Sequence, residues 1–141
     1  TRISIIEVPD HPGIAFKIFS ALAANKINVD IILQSVGRAG TKDISFTVST
    51  SQKEDALRIS EELKSVIGAK EVTFNDNVSK VSIVGAGMLS NPGVAAMMFE
   101  ALGENNINIS MISTSEIKIS VLIEQDLAKK AVNAIHDKFD L

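Results

Sequence analysis

The sequence of 141 residues contains no cysteine, tryptophan or tyrosine, and it contains only two histidines. Without cysteine, a disulfide, a thiolate nucleophile and a cysteine-based zinc site are all excluded, and this composition fits a cytoplasmic protein. Aromatic residues make up 4% of the chain and the formal net charge is −3, which argues against a nucleic-acid-binding surface. The longest apolar runs, such as 94–99, are far shorter than the ~20 residues of a membrane span. The sequence therefore predicts no metal, no cofactor, and neither nucleic acid nor membrane as a partner.

An internal repeat organises the residues that are present. Hydrophobic residues make up 45% of the chain, enough to form a buried core. Residues 12–32 recur as residues 92–112 at an offset of 80. Residues 2–6 match residues 80–84 at an offset of 78, so the loop before the Pro-Gly pair is two residues longer in the second copy. Two units of the same fold are the expected result.

Hydrophobic periodicity gives the order of elements in the first unit. The first predicted elements are a strand at 2–8, a helix that opens at Pro12-Gly13, a half-buried strand carrying Val29, Ile31 and Leu33, and a return strand carrying Ile44, Phe46 and Val48. A second helix is predicted to start with a Ser51–Glu54 capping box and to end at Gly68, with an apolar face of Ala56, Ile59, Leu63, Val66 and Ile67. A last strand is predicted at 71–74. Proline at a first-turn position of a helix leaves no backbone bond unmade. This order predicts an α+β, ferredoxin-like βαββαβ fold, with an antiparallel sheet and helices on one face.

The second unit repeats this pattern but lacks its last strand. Its predicted elements are a strand from Ser79, a helix from Pro92, strands around 107–112 and 117–123, and a helix carrying Ala128, Ala131, Val132, Ile135 and Phe139. We expect two domains, at 1–77 and 78–141. Because the chain opens at Thr1 directly in a strand, we interpret it as a piece of a longer chain, with the missing strand upstream; otherwise the second sheet keeps an open edge.

No catalytic motif is present. His11 and His136 have no spacing that predicts a catalytic triad, and no Gly-Lys-Ser/Thr phosphate loop occurs. Gly85-Ala86-Gly87 follows a strand as in a dinucleotide fingerprint, but the sixth position is Ser90 and no parallel strand context follows. We interpret these glycines as turn residues.

The doubled strand-to-helix loop, at 8–13 and 88–93, is the candidate binding feature. A helix N-terminus offers unpaired N–H groups and partial positive charge, and glycine allows close approach, so a carboxylate fits there. Acceptors for an ammonium group are available from Asp10, Asp30, Gln34 and Asn108. The same residues also fit a purely structural role, in which Pro-Gly starts the helix with His11 or Asn91 as the cap.

The sequence resembles paired ACT domains, which sense amino acids, and among them the regulatory region of aspartate kinases. The resemblance covers essentially the whole chain. The most specific segments are Pro9–Gly13, 27–34, 80–88 and 108–121. In this family the missing strand comes from a segment just upstream, and a kinase catalytic domain lies further upstream.

The resemblance implies allosteric feedback inhibition by threonine or lysine, bound between ACT units of two chains in a homodimer. The residues carried over to the effector site are Asp10, Gly13, Ala15 and Gln34 of the first unit, and Asn108 and Ile109 of a second. The second loop has no acid at the position of Asp10, which puts an equivalent second site in doubt. The chain is then not an enzyme on its own, and its partners are the amino acid and the catalytic domain.

Two alternatives remain. One is an ACT module that only dimerises and binds no ligand. The other is a small ferredoxin-like enzyme such as an acylphosphatase, which needs an arginine in an anion loop. The three arginines, Arg2, Arg38 and Arg58, all lie outside the Pro-Gly loops, so the enzyme alternative is disfavoured.

Overall fold

The computed structural model describes residues 1–36, 40–85, 93–115 and 117–139. The chain forms two compact units, Thr1–Asp76 and Asn77–Leu141. Within the described ranges, no helix has both the length and the apolar character needed to cross a lipid bilayer.

The first unit has the predicted order of elements. They are strand β1 (Arg2–Pro9), helix α1 (Ile14–Ala24), strands β2 (Ile32–Val36) and β3 (Thr41–Thr47), helix α2 (Lys53–Ile67) and strand β4 (Glu71–Asn75). The sheet order is β2-β3-β1-β4, and every pairing is antiparallel. The prediction of a ferredoxin-like α+β fold is confirmed.

Alternation along the strands builds the core of this unit. Ile3 and Ile5 of β1 are fully buried, opposite Phe46 and Ile44 of β3. The Phe46 ring meets Phe19 of α1 edge-on, with ring centroids 5.7 Å apart, a geometry that aromatic pairs favour. One face of the sheet and the apolar sides of both helices thus share a single core.

A β-bulge in β1 resets the alternation before the loop that follows. Ile5 pairs with Ile44 and Val8 with Lys42, so two residues of β1 face the single residue Asp43. The bulge contains Glu7 at φ 53, and the Glu7 amide donates a hydrogen bond to Oδ1 of Asp43 at 2.8 Å. Without the extra residue, Val8 would point away from the core; with it, Val8 is fully buried.

The second unit repeats the fold, with three strands among its described residues. Its elements are β5 (Val78–Val84), α3 (Gly93–Glu104), β6 (Met111–Thr114), β7 (Lys118–Glu124) and α4 (Ala128–Lys138), and the sheet order is β5-β7-β6. In the described part of the chain, β5 pairs only with β7, whereas β1 pairs on both sides. The predicted helix start at Pro92 lies outside the described residues.

The repeated Asn-x-Ile segment is a helix-ending motif in both units. Ile27 N donates to Leu22 O at 3.0 Å, and Ile107 N donates to Leu102 O at 2.9 Å. The residues before them have positive φ, 60° at Lys26 and 56° at Asn106. This is the Schellman arrangement that satisfies the last carbonyls of a helix. Part of the repeat therefore serves to end the first helix of each unit.

Two boundary predictions are wrong. The Ser51–Glu54 capping box does not form, because Ser51 lies in a 3₁₀ turn (Thr50–Gln52) and α2 begins at Lys53 without a side-chain cap. The Gln52 side chain instead donates to Lys26 O at 2.8 Å and accepts from Asn28 N at 3.0 Å. The strand predicted from Val29 begins at Ile32.

Three predicted apolar positions are exposed. Leu33 is 41% exposed because it pairs with Ser45, on the face of the sheet opposite the buried Phe46 and Ile44, and because β2 is an edge strand. Val66 of α2 is 71% exposed and Val132 of α4 is 52% exposed. Ser60 of α2 is instead completely buried and faces the core side of the helix. Helical spacing alone predicts Val66 and Val132 on the apolar face of their helices, but both side chains lie outside the buried part of that face.

The Glu7–Asp43 contact predicts a measurable contribution to the stability of the first unit. Asp43→Ala removes the acceptor of the Glu7 amide, and we expect unfolding free energy to fall by about 0.5–1.5 kcal/mol, the usual net contribution of a hydrogen bond. Asp43→Asn keeps a carbonyl oxygen and should lose less. Urea unfolding followed by circular dichroism measures both variants. Equal stability of Asp43→Ala and the unmodified chain would contradict the role of this contact.

Candidate functional site

The loop between β1 and α1 is hydrogen-bonded to Gly40, the residue before β3. Asp10 follows the last residue of β1, and its backbone N–H donates to the carbonyl of Gly40 at 2.9 Å. This bond fixes the backbone of Asp10 relative to the start of β3. The carboxylate is thereby presented at the end of the sheet rather than on a free loop.

Gly13 caps the start of α1. Its φ is 90°, in the left-handed region, and no side chain caps the helix. The prediction that His11 is the cap is therefore wrong, and Pro12 lies before the cap rather than in the first turn. The other proposed cap, Asn91, lies outside the described residues. A left-handed position is where glycine is favoured over residues with a Cβ atom.

One cavity joins two of the predicted site residues. Gln34, in the middle of β2, and Asp10 line a cavity of about 190 Å³. The remaining lining residues are Ser35, Val36 and Lys42. Two residues separated by 24 positions in the sequence are thus brought to one place by the sheet.

Lys42 is a site residue that the sequence did not reveal. Its Nζ lies 3.3 Å from Oδ1 of Asp10, and its side chain is 16% exposed against 59% for Asp10. Lys42 pairs with Val8 of β1 and Val36 of β2. This contact could be predicted only from the register between the strands. That register depends on the bulge at Glu7, and hydrophobic alternation does not specify it.

The other predicted site residues are placed as follows. Ala15 is the second residue of α1 and is half-buried. Asn108 and Ile109 lie between α3 and β6 of the second unit; Asn108 is exposed, and Ile109 packs against the core of its own unit. Their contribution to a site with Asp10 stays a prediction.

A wider cavity, of about 710 Å³, lies between α3 and α4. Lys138 closes one part of it by donating to Glu100 and Glu104. The hydrogen bond from Lys138 holds the pKa of Glu100 below its usual value, and the bond to Glu100 raises the pKa of Lys138. These ion pairs of Lys138 connect α4 to α3, so we interpret a structural role for this side of the cavity.

Gly85 follows the last residue of β5 and is hydrogen-bonded to a neighbouring segment. The Gly85 amide donates to the carbonyl of Ile117 at 2.7 Å, as expected for a turn residue beside a sheet. Ala86 and Gly87, and the second strand-to-helix loop up to Pro92, lie outside the described residues. In the described ranges, no group of three or more His, Asp or Glu side chains is placed to hold a metal ion.

Comparison with known proteins identifies the family. Two family models, both described as the ACT domain, match residues 1–68 and 81–139. The crystal structure of aspartokinase alpha and beta subunits superimposes with a TM-score of 0.92 at 46% identity, covering 99% of this chain and 92% of that one. The chain belongs to the ACT-domain family, as a tandem regulatory module of the aspartate kinase type. The predicted resemblance is confirmed.

Further relatives support the assignment of this ACT pair. The regulatory subunit of aspartate kinase from Thermus thermophilus, in a ligand-free form, has a TM-score of 0.92 at 42% identity, covering 98% of this chain and 91% of that one. An aspartate kinase of Pseudomonas putida is 49% identical over 140 residues, 99% of this chain and 34% of that protein. The ACT pair thus spans about a third of the length of the curated relatives it matches.

The left-handed Gly13 predicts a substitution effect with a control of opposite sign. A Cβ at Gly13 meets no atom within 4 Å, so Gly13→Ala costs only backbone strain, about 1–2 kcal/mol of unfolding free energy. Gly103 lies within α3 and is equally unobstructed. Gly103→Ala should stabilise the chain by about 0.5–1 kcal/mol. Thermal unfolding followed by circular dichroism measures both. A stabilising Gly13→Ala would disprove the left-handed cap.

Proposed function

We propose that this ACT pair is the effector-binding module of an aspartate kinase and that it binds a free amino acid, threonine or lysine. The observation that carries the proposal is the cavity of about 190 Å³ shared by Asp10 and Gln34. It is smaller than the ~300–1,000 Å³ of pockets for drug-sized ligands, which suits a ligand with few heavy atoms. The similarity to aspartate kinase regulatory subunits supports the regulatory role.

The polar groups of the first ACT domain match the two charges of an amino acid. The Asp10 carboxylate accepts hydrogen bonds from the α-ammonium group, and the Gln34 amide offers both a donor and an acceptor. In the first turn of α1 the Ile14 N–H donates to His11 O at 3.3 Å; the following N–H groups have no acceptor within the helix and carry partial positive charge. Gly13 and Ala15 have little or no side chain there, so a carboxylate can approach that backbone closely.

Asn108 and Ile109 complete the proposed site from the second ACT domain of a partner copy. The homodimer is supported by the exposed apolar side chains of the edge strand β2, where Ile32 is 50% and Val36 is 100% exposed. Edge strands with exposed backbone and apolar side chains are ready to pair with another chain. The effector then lies at an interface between two copies.

Feedback control follows from differential binding. An effector shifts the kinase between two arrangements only by the difference of its affinities for them. A site assembled from two chains gives such a difference, because it is complete in one arrangement of the copies and broken in another. Threonine or lysine, as an end product, would thereby hold the kinase in its less active arrangement.

Calorimetric titration with threonine, and separately with lysine, tests the site. Asp10→Asn removes the charge that pairs with the ammonium group, and Gln34→Ala removes the amide. We expect each to weaken binding roughly tenfold or more, since a hydrogen bond to a charged group contributes about 1.5–3 kcal/mol. Asp76→Asn is the matched control, because Asp76 is also exposed and paired with a lysine, Lys53, but lies outside the cavity.

The result that would overturn the proposal is an absence of binding of both amino acids to the unmodified chain. If that chain still dimerises, the alternative of an ACT module that only dimerises is favoured. Unchanged affinity in both Asp10→Asn and Gln34→Ala would leave the function standing but place the site elsewhere.

Mixing two defective variants tests whether the site spans two chains. Asp10→Asn and Asn108→Ala each damage every site when present in both copies. In a mixed dimer, one site carries both changes and the other carries neither, if Asp10 and Asn108 come from different chains. We expect the mixture to regain high-affinity binding at about half of the mixed dimer's sites, measured by titration. No regain would contradict a site shared between chains.

A further inference from the structure

The acid assigned to the effector's ammonium group already has a cationic partner. Nζ of Lys42 lies 3.3 Å from Oδ1 of Asp10, and only 16% of the Lys42 side chain is exposed. Lys42 also lines the same cavity as Asp10 and Gln34. The Lys42 ammonium thus lies where a ligand ammonium group would contact Asp10.

The position of Lys42 is set by the sheet. It lies on β3 between Val8 of β1 and Val36 of β2, and it pairs with both. Asp10 is held by its own backbone bond to Gly40 at 2.9 Å. Because both backbones are held by hydrogen bonds, the two side chains stay within reach of each other.

A ligand ammonium group at Asp10 meets this charge directly. Two cations that share one carboxylate lie close enough to repel each other, and repulsion is stronger near a partly covered side chain than in open water. The ligand must either bear this repulsion or displace the Lys42 ammonium from Asp10. Both routes weaken binding relative to a site with an unpaired carboxylate.

We infer that Lys42 is an internal competitor for Asp10, and that it lowers the affinity of the site for ligands with an α-ammonium group. The inference rests on the proposed function, because it concerns the same cavity. It assigns to Lys42 a role in setting the effector concentration at which the module responds. Lys42 does this without being needed for the effector to bind.

Titration calorimetry of the 141-residue chain with threonine, and separately with lysine, tests the inference. Lys42→Met keeps the length of the side chain and removes the charge. We expect its Kd to be roughly two- to fivefold lower than that of the unmodified chain, the range of a partly exposed ion pair. Lys42→Arg keeps the charge and should bind with nearly the original Kd.

Lys53→Met provides the matched control. Lys53 is also ion-paired, with Asp76, and its side chain is 20% exposed, but it does not line the cavity. Its loss should leave the Kd unchanged, which separates the local effect of Lys42 from a general loss of positive charge. In the background of Asp10→Asn, Lys42→Met should bring a smaller gain, because the ligand and Lys42 no longer compete for a carboxylate.

The outcomes separate this inference from the proposed function. If the unmodified chain binds and Lys42→Met binds equally or more weakly, the inference is overturned and the proposed function stands; weaker binding would make Lys42 a ligand contact. A gain of the same size in the Asp10→Asn background also overturns it. If neither the unmodified chain nor Lys42→Met binds either amino acid, the proposed function fails and this inference with it.

Discussion

The antiparallel pairing of β1 with β3 is the constraint on which both the core and the candidate site depend. The bulge at Glu7 shifts its register so that Val8 returns to the core opposite Lys42. The same shift places Lys42 beside the loop that carries Asp10. Because β2 pairs with β3 in turn, Gln34 comes to the same cavity. One local irregularity therefore links burial in the core to the geometry of the site.

The two ACT domains share their framework but not their site residues. Hydroxyl pairs recur between equivalent strands, Ser4 with Ser45 at 2.8 Å and Ser82 with Ser120 at 2.7 Å, and the helix-ending motif recurs as well. In contrast, the repeat offset aligns Asp10 with Ser90 and Gln34 with Thr114. The residues that the two copies share therefore determine the common fold, and the positions at which the copies differ indicate where the two domains differ in function.

Element order and most of the core could be predicted from the sequence because they follow from local periodicity. Ile44, Phe46 and Val48 are buried as the alternation indicates. The start of α2 could not be predicted, since Gln52 bonds to backbone atoms of the segment before β2 instead of allowing Ser51 to cap the helix. Hydrogen bonds between residues 24 or 26 positions apart cannot be predicted from a local sequence pattern.

The candidate site was predictable only in part, for a similar reason. Asp10 and Gln34 were predicted as acceptors for an ammonium group and again by the resemblance to ACT domains, and the structure brings them to one cavity. Lys42 was missed because its ion pair with Asp10 depends on strand register. The register in turn depends on an acidic residue in a left-handed conformation, Glu7, which sequence patterns place only poorly. The pairing of the Asp10 carboxylate with the Lys42 ammonium therefore depends on the folded structure and is not visible in the sequence.

The most direct test of the account is to follow the backbone amide resonances of the chain by NMR during titration with threonine and with lysine. The account predicts saturable shifts at Asp10, Gln34 and Val36 that report one common Kd for whichever amino acid binds. Saturable shifts confined to residues outside this cavity, or no saturable shift with either amino acid at millimolar concentration, would contradict it.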